Sequence, residues 1–214
     1  MTAAIVLDLD GVIVDTEQVW DRARRDYVAA HGGRWRDGAT GAMQGMSSRE
    51  WPLYLRDELG ADGEPDQISR DVAAEVVEEV HRDLPLLPGA VDAVRELAGA
   101  HPLGLASSAN REVIDAVLET AGLAACFGAT VSSEEVERGK PAPDVYLEAA
   151  ARLGVEAARC AAVEDSTNGL LSAKAAGMLV VAVPNREFPP SAEALAVADA
   201  VLDGIAAVPA YFMR

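Results

Sequence analysis

The chain has 214 residues, half of them hydrophobic and a quarter charged, which is the composition of a globular protein and not of a disordered or fibrous one. Its 18 Lys and Arg residues against 35 Asp and Glu residues give a formal net charge of −17, which disfavours nucleic acid and membrane as partners. The same charge repels phosphate esters, so a phosphorylated ligand would need a bound cation and well-placed basic side chains.

The first predicted element is a buried strand at residues 4–9, an apolar run rich in β-branched residues that ends at the turn-forming pair Asp10-Gly11. Side chains at alternate positions of an extended segment point the same way, so Asp8 and Asp10 are predicted to face one centre. Two carboxylates so close together need a cation or a proton between them. The end of this strand is therefore a candidate site for chemistry.

The segment after this strand is predicted to be helical. Residues 16–83 contain no convincing strand, and Pro85 and Pro88 follow them. Apolar periodicity predicts three helices here, at residues 17–30, 49–59 and 68–82. We therefore predict a core domain formed by residues 1–15 and 84–214, with an all-helical cap domain, residues 16–83, that moves about its two connections to the core.

After Gly89 the predicted strands and helices alternate, which indicates a parallel sheet. Helices are predicted at residues 91–98, 111–121, 144–153 and 168–176, and strands at 103–107, 129–132, 161–164, 179–183 and 200–202. Asn110 is expected to cap one helix, and Gly122, Gly154 and Gly177 are expected to end others. The predicted fold class is α/β, a doubly wound, parallel-sheet, Rossmann-like core with an all-helical cap inserted after the first strand.

Residues that follow the strands of such a sheet meet at one edge, where ligands bind. They are Asp8 and Asp10, Ser107 and Ser108, Lys140, and Glu164 and Asp165. Oxygen donors suit a hard cation such as Mg²⁺, and a lysine suits a phosphate oxygen. We predict a Mg²⁺ site formed by four of the acidic residues, Asp8, Asp10, Glu164 and Asp165.

This set of groups favours phosphoryl transfer. Asp8 is predicted to attack phosphorus and form an aspartyl-phosphate, while Asp10 protonates the leaving oxygen and later activates water. Ser107 and Lys140 are predicted to stabilise the transferring group, with Lys140 offsetting its charge. The phosphate-binding residues are predicted to be Ser107, Ser108, Asn110 and Lys140.

Four segments resemble the motifs of the haloacid dehalogenase superfamily and occur in the family's order. They are LDLDGVIVDTE at residues 7–17, LGLASSAN through Ser107, ERGKPAPDVY through Lys140, and VEDSTNGLLSAKAAGM through Glu164 and Asp165. The resemblance covers essentially the whole chain and points to the branch with a helical cap, subfamily I, which includes phosphatases and β-phosphoglucomutase-like proteins. It implies that Asp8 is nucleophile and metal ligand, that Asp10 is the acid/base with its backbone carbonyl on Mg²⁺, and that Asp165 is a metal ligand.

Two comparisons with the family's motifs narrow the range of reactions to be expected. Dehalogenases of the family lack the second aspartate of the first motif, which is Asp10 here, so dehalogenation is disfavoured. The mutases carry a cap histidine where this chain has Trp20, which favours hydrolysis of a phosphate monoester. A β-phosphoglucomutase-like mutase stays the first alternative. A phosphoacceptor signalling module, or a binding module without turnover, is the alternative from another class.

The cap loop at residues 43–49 resembles the family's substrate-facing loop. Gln44, Ser48 and Arg49 are therefore candidate substrate contacts beside Trp20, although a helix cap and a solvated arginine would explain the loop equally well. The expected partner is a small phosphate ester, whose identity stays open. The chain is expected to be cytoplasmic, since it shows no basic leader and no run of about 18 apolar residues, and a monomer is the default expectation.

Overall fold

The computed structural model describes residues 2–43, 46–185 and 189–213. Within them the strands are β1 Ala4–Leu7, β2 Leu103–Ser107, β3 Ala129–Ser132, β4 Cys160–Glu164, β5 Leu179–Ala182 and β6 Ala200–Val201. They form one sheet in the order β3-β2-β1-β4-β5-β6, and each neighbouring pair is parallel. This is the strand order of a doubly wound Rossmann core, so the predicted fold class is confirmed.

β1 lies in the middle of the sheet, between β2 and β4, and is buried along its whole length. Its alternate residues enter two apolar layers, with Ile5 and Leu7 on one face and Ala4 and Val6 on the other. A parallel strand covered on both faces is apolar throughout, which explains the continuous hydrophobic run. The strand is two residues shorter than predicted because the chain turns immediately, with the Ile13 N–H donating to the Leu9 carbonyl at 2.8 Å.

Helices cover the sheet and form the cap. Between β1 and β2 lie α1 Glu17–Ala30, α2 Ala39–Met43, α3 Trp51–Asp57, α4 Pro65–Arg82 and α5 Ala90–Ala100. The later helices are α6 Arg111–Thr120, α7 Asp144–Arg152, α8 Thr167–Ala175, α9 Ala192–Leu195 and α10 Val208–Phe212. Three short helices, α2, α9 and α10, were not predicted, because one turn is too short to show periodicity. None of the helices in the described part of the chain has the length and apolarity to cross a membrane.

Two segments connect the cap to the core, and they run side by side. Val14 and Leu86 form an antiparallel bridge, and the Asp15 N–H donates to the Pro85 carbonyl at 2.9 Å. This pairing explains how one insertion leaves and rejoins the sheet at the same place. The division at residues 15/16 and 83/84 fits these connections and stays a prediction.

The cap also contacts the core at the loops that follow β2 and β3. We call these contacts the cap latch. Its hydrogen bonds join Ser48 Oγ to Ser133 Oγ at 3.2 Å, Asn110 Nδ2 to Ser69 Oγ at 2.9 Å, and Arg49 Nη2 to the Glu134 carbonyl oxygen at 2.7 Å. Beside the cap latch, α4 packs against α6. The cap therefore lies over the carboxyl edge of the sheet, where the predicted site is.

Candidate active site

Lys140 lies between two carboxylates at the carboxyl edge of the sheet. Its Nζ donates to Asp8 Oδ1 at 2.8 Å and to Glu164 Oε1 at 2.5 Å. Asp8 directly follows β1 and Glu164 ends β4, and these two strands pair with each other. The side chains of Lys140 and Glu164 are 3% and 0% exposed, so water does little to weaken the attraction between their charges.

Glu164 is held in one orientation by further donors. The Tyr146 hydroxyl donates to its Oε1 at 2.9 Å. Its Oε2 accepts the backbone N–H groups of Asp165 at 3.0 Å and Ser166 at 3.1 Å. Since Glu164 also binds Lys140, it fixes the position of the ammonium beside Asp8.

Three buried carboxylates form a candidate metal site. Asp8, Glu164 and Asp165 each offer an oxygen, and these three atoms lie within 4.8 Å of one another. If all three were ionised, the one ammonium of Lys140 would leave two negative charges uncompensated. Burial and then the charge of Glu164 raise the pKa of Asp8 to about 8 and that of Asp165 well above its usual range. An oxygen-ligated divalent cation would balance this charge, so the donor set fits Mg²⁺.

The Asp10 carboxylate lies outside that three-residue group. It accepts a hydrogen bond from the Thr16 hydroxyl and lines the same cavity as Asp8. Burial raises the pKa of Asp10, and the Thr16 hydrogen bond acts in the opposite direction. A metal contact through its side chain is therefore not indicated by this geometry, and the contact through the backbone carbonyl that the family resemblance implies stays a prediction.

Two glycines allow the backbone to approach the acidic residues. A Cβ on Gly11 would lie 1.9 Å from Asp165 Oδ2, and Gly11 also has a φ of +78°. A Cβ on Gly169, in the first turn of α8, would lie 1.8 Å from Glu164 Oε1. Any larger residue at either position would occupy space that the carboxylates use.

We expect Gly169→Ala to destabilise the protein, although alanine is the better helix former. The Glu164 carboxylate is fixed by its donors and cannot give way easily, so overpacking should cost about 1–3 kcal/mol. Gly41→Ala is the matched control, because Gly41 also lies in a helix and a Cβ there meets no atom within 4 Å among the described residues outside its own helix. Urea unfolding of both variants measures the difference. Equal stabilities would contradict the close approach at Gly169.

One cavity joins groups from the core and the cap. The lining residues are Asp8, Asp10, Gly11, Glu17, Trp20, Arg24, Met43, Met46, Trp51, Ser108, Ala109, Lys140, Asp165, Ser166 and Asn168. Its volume is about 90 Å³, which is below the roughly 300–1,000 Å³ usual for small-molecule pockets. A sugar phosphate is larger than this space, which agrees with the predicted movement of the cap.

The two predicted serines differ in position. Ser108 lines the cavity, whereas Ser107 is fully buried and is not among the lining residues. The Ser107 Oγ accepts a hydrogen bond from the backbone N–H of Ala109 at 3.0 Å. This bond orders the loop whose residues Ser108 and Ala109 line the cavity. Direct phosphate contact by Ser107 stays a prediction, and its observed contact is to this loop.

The structure separates the other predicted substrate contacts. Trp20 lines the cavity, while Gln44 lies outside the described residues. Ser48 and Arg49 do not line this cavity and belong to the cap latch. Asn110 also belongs to the cap latch. Its side-chain amide donates hydrogen bonds to Ser69 Oγ and to Glu134 Oε1, each at 2.9 Å. Asn110 occupies the N-cap position of α6 but makes no capping bond with its side chain, so that prediction was wrong.

Sequence reasoning missed several residues of the site. Arg24 lines the cavity one helical turn after Trp20, and this spacing on α1 could have revealed it. Glu17 lines the cavity as well, although it had been noted only as part of a motif. Tyr146 contacts Glu164 from α7, and nothing in the local sequence distinguishes it from a core aromatic residue.

Comparison with known proteins gives matches over most of the chain. A family model described as haloacid dehalogenase-like hydrolase matches residues 2–177. Hexitol phosphatase B of Escherichia coli is 35% identical over 190 residues, covering 86% of this chain and 84% of the relative. Fructose-1-phosphate phosphatase YqaB of Escherichia coli is 30% identical over 181 residues, covering 85% and 96%. The crystal structure of CbbY from Rhodobacter sphaeroides in complex with phosphate has a TM-score of 0.84 at 28% identity and covers 96% of both chains.

Proposed function

Because the chain belongs to the haloacid dehalogenase-like hydrolase family and is a phosphoric monoester hydrolase, we propose that it hydrolyses a small phosphorylated metabolite such as a sugar phosphate. In this proposal the reaction needs Mg²⁺ and passes through an aspartyl-phosphate on Asp8. The observation that carries it is the buried contact of Lys140 with Asp8 and Glu164. A nucleophilic carboxylate beside a fixed ammonium is suited to attack on an anionic phosphoryl group.

Asp8 and Asp10 take different steps. An oxygen of Asp8 attacks phosphorus, and the bond from phosphorus to the ester oxygen breaks. Asp10, which lines the same cavity and is held by Thr16, donates a proton to that leaving oxygen. The same carboxylate then removes a proton from the water that hydrolyses the aspartyl-phosphate and frees inorganic phosphate. Lys140 offsets the charge on the phosphoryl oxygens in both steps.

Asp8, Glu164 and Asp165 would hold the Mg²⁺ ion. When bound, the ion supplies positive charge that orients and neutralises the phosphoryl group. The chain's contribution is to bring three carboxylates from two adjacent strand ends to one point, with glycines that leave room for two of them. Protein groups alone would leave the fully ionised cluster with excess negative charge, and the raised pKa values of Asp8 and Asp165 support a divalent ion at this position.

Relatives support a small polyol or sugar ester as the substrate. The names of two of them specify a hexitol phosphatase and a fructose-1-phosphate phosphatase, and CbbY was solved with phosphate bound. Hydrolysis is favoured over mutase activity because Trp20, at the position of the mutases' gating histidine, cannot exchange protons with Asp10. The monomeric state and the cytoplasmic location expected from the sequence stay predictions.

Phosphate release from a panel of monoesters tests the function directly. We expect the wild-type protein to release phosphate from sugar or polyol phosphates in Mg²⁺ and to lose this activity in EDTA, with recovery on adding Mg²⁺. β-Glucose 1-phosphate belongs in the panel, because its conversion to the 6-phosphate would identify a mutase. Release that persists undiminished in EDTA would contradict the metal site. A folded, Mg²⁺-binding protein that turns over no ester would favour the signalling or binding alternative.

A further inference from the structure

Arg24 presents a cationic group to the cavity from the cap. It lies on α1 one turn after Trp20, and its guanidinium carbon is 5.1 Å from the Trp20 ring centre and 5.0 Å from that of Trp51. The rings themselves are 5.9 Å apart. Cation–π contacts with two indoles hold the guanidinium in place but offer it no hydrogen-bond acceptor.

The charge of Arg24 has no protein partner among the described residues. Its Nε is buried without a hydrogen bond, and no carboxylate there lies within 4.0 Å of the guanidinium. Neighbouring arginines of the same helix differ, since Arg22 pairs with Glu79 at 3.1 Å and Arg25 with Asp21 at 2.6 Å. Burial lowers the pKa of Arg24 to about 10, although the charges of Glu17, Asp10 and Asp21 act in the opposite direction.

We infer that Arg24 binds a second anionic group of the substrate, a carboxylate or another phosphate, while Asp8 attacks the ester phosphorus. This inference rests on the proposed function and narrows its substrate class. A guanidinium binds either anion with two parallel hydrogen bonds, and a partly buried cation with no hydrogen-bonded partner among the described residues makes that contact favourable. Glu17 shares the cavity and attracts Arg24 electrostatically, so pairing of these two residues is the competing arrangement.

Two matched pairs of esters test the inference. Fructose 1,6-bisphosphate is compared with fructose 1-phosphate, and 2-phosphoglycolate with 2-hydroxyethyl phosphate. We expect the wild-type protein to prefer the doubly anionic member of at least one pair in kcat/KM, and Arg24→Met to lower that value by about 10- to 100-fold, mainly through KM. The singly charged ester should change less than about threefold, and the pair that responds identifies carboxylate or phosphate. Arg22→Met is the control and should leave both values unchanged.

Other outcomes overturn the inference. Equal losses for both members of each pair would mean that Arg24 supports packing or acts on a catalytic group, and no preference in the wild-type protein would exclude an anion site. If no ester is hydrolysed, the proposed function fails, and calorimetric titration of the same compounds into the Mg²⁺-loaded protein still tests Arg24. Preferential binding of the doubly anionic compounds that Arg24→Met removes would support the inference, and equal binding would overturn it. Arg24→Gln replaces Arg24→Met if the latter does not fold.

Discussion

Asp8→Asn is expected to lower kcat by at least about 10⁴-fold while the protein stays folded. The amide cannot form the aspartyl-phosphate, and the neighbouring Glu164 carboxylate is already engaged by its own donors. The amide is nearly isosteric with the carboxylate and can still accept the hydrogen bond from Lys140. Initial-rate assays with the best ester of the panel measure the loss, and acid-quenched radiolabelled substrate shows whether phosphate remains on the protein.

Asp57→Asn is the control for Asp8→Asn, since Asp57 is exposed on the cap and its ion pair is with the neighbouring Arg56 at the surface. Its activity should match that of the wild-type protein. Circular dichroism and thermal melting establish that both variants fold. A folded Asp8→Asn protein with more than a few per cent of wild-type activity, or one that still acquires covalent phosphate, would assign the nucleophile elsewhere.

Lys140→Met is expected to cost about 3–5 kcal/mol of unfolding free energy, measured without metal. The substitution keeps the volume of the side chain but leaves Asp8 and the fully buried Glu164 without their cation. Adding Glu164→Gln to Lys140→Met should recover part of the loss, because it removes one uncompensated charge. Urea unfolding in EDTA measures all three proteins.

Lys174→Met is the matched control for Lys140→Met. Lys174 pairs with Asp199 at 3.7 Å, and both side chains are more than 40% exposed. Solvent-exposed pairs contribute about 0–1 kcal/mol, so this variant should stay close to the wild-type stability. A similar loss of unfolding free energy in the two variants would show that the charge of the buried Lys140 contributes no more to stability than the charge of an exposed lysine.

The strand-end residues could be predicted from sequence because the topology of a parallel sheet places them. Asp8 and Lys140 are 132 residues apart, yet each follows a strand whose pattern was evident, and the right-handed connections of the fold bring them together. Arg24 is different, since its importance depends on which side chains surround it after the cap has docked. The same is true of Asn110, whose side chain binds Ser69 of the cap instead of its own helix.

The contacts made by the cap loop were the part of the structure that the sequence predicted least, and substrate contact by Ser48 and Arg49 stays a prediction. Ser48 and Arg49 occupy a loop that resembles a substrate-facing segment, but the cap latch turns both towards the loop after β3. The local sequence shows that these residues are polar and that they lie near the start of a helix. The residues with which they form hydrogen bonds depend on how the cap packs against the core. That packing involves α4 and α6, which are distant from the loop in sequence.

The paired connections between cap and core have a consequence for the timing of catalysis. Val14, in the first connection, accepts the Gly11 N–H at 2.7 Å and bridges to Leu86 in the second. The Asp10 carboxylate accepts a hydrogen bond from the Thr16 hydroxyl, where the chain enters the cap. The Asp8 backbone N–H instead donates to the Val163 carbonyl in the sheet. A swing of the cap would thus displace the proton donor and leave the nucleophile where it is. If the cap moves as predicted, we expect an open form to bind substrate without Asp10 in place to protonate the leaving group, so that turnover would require closure.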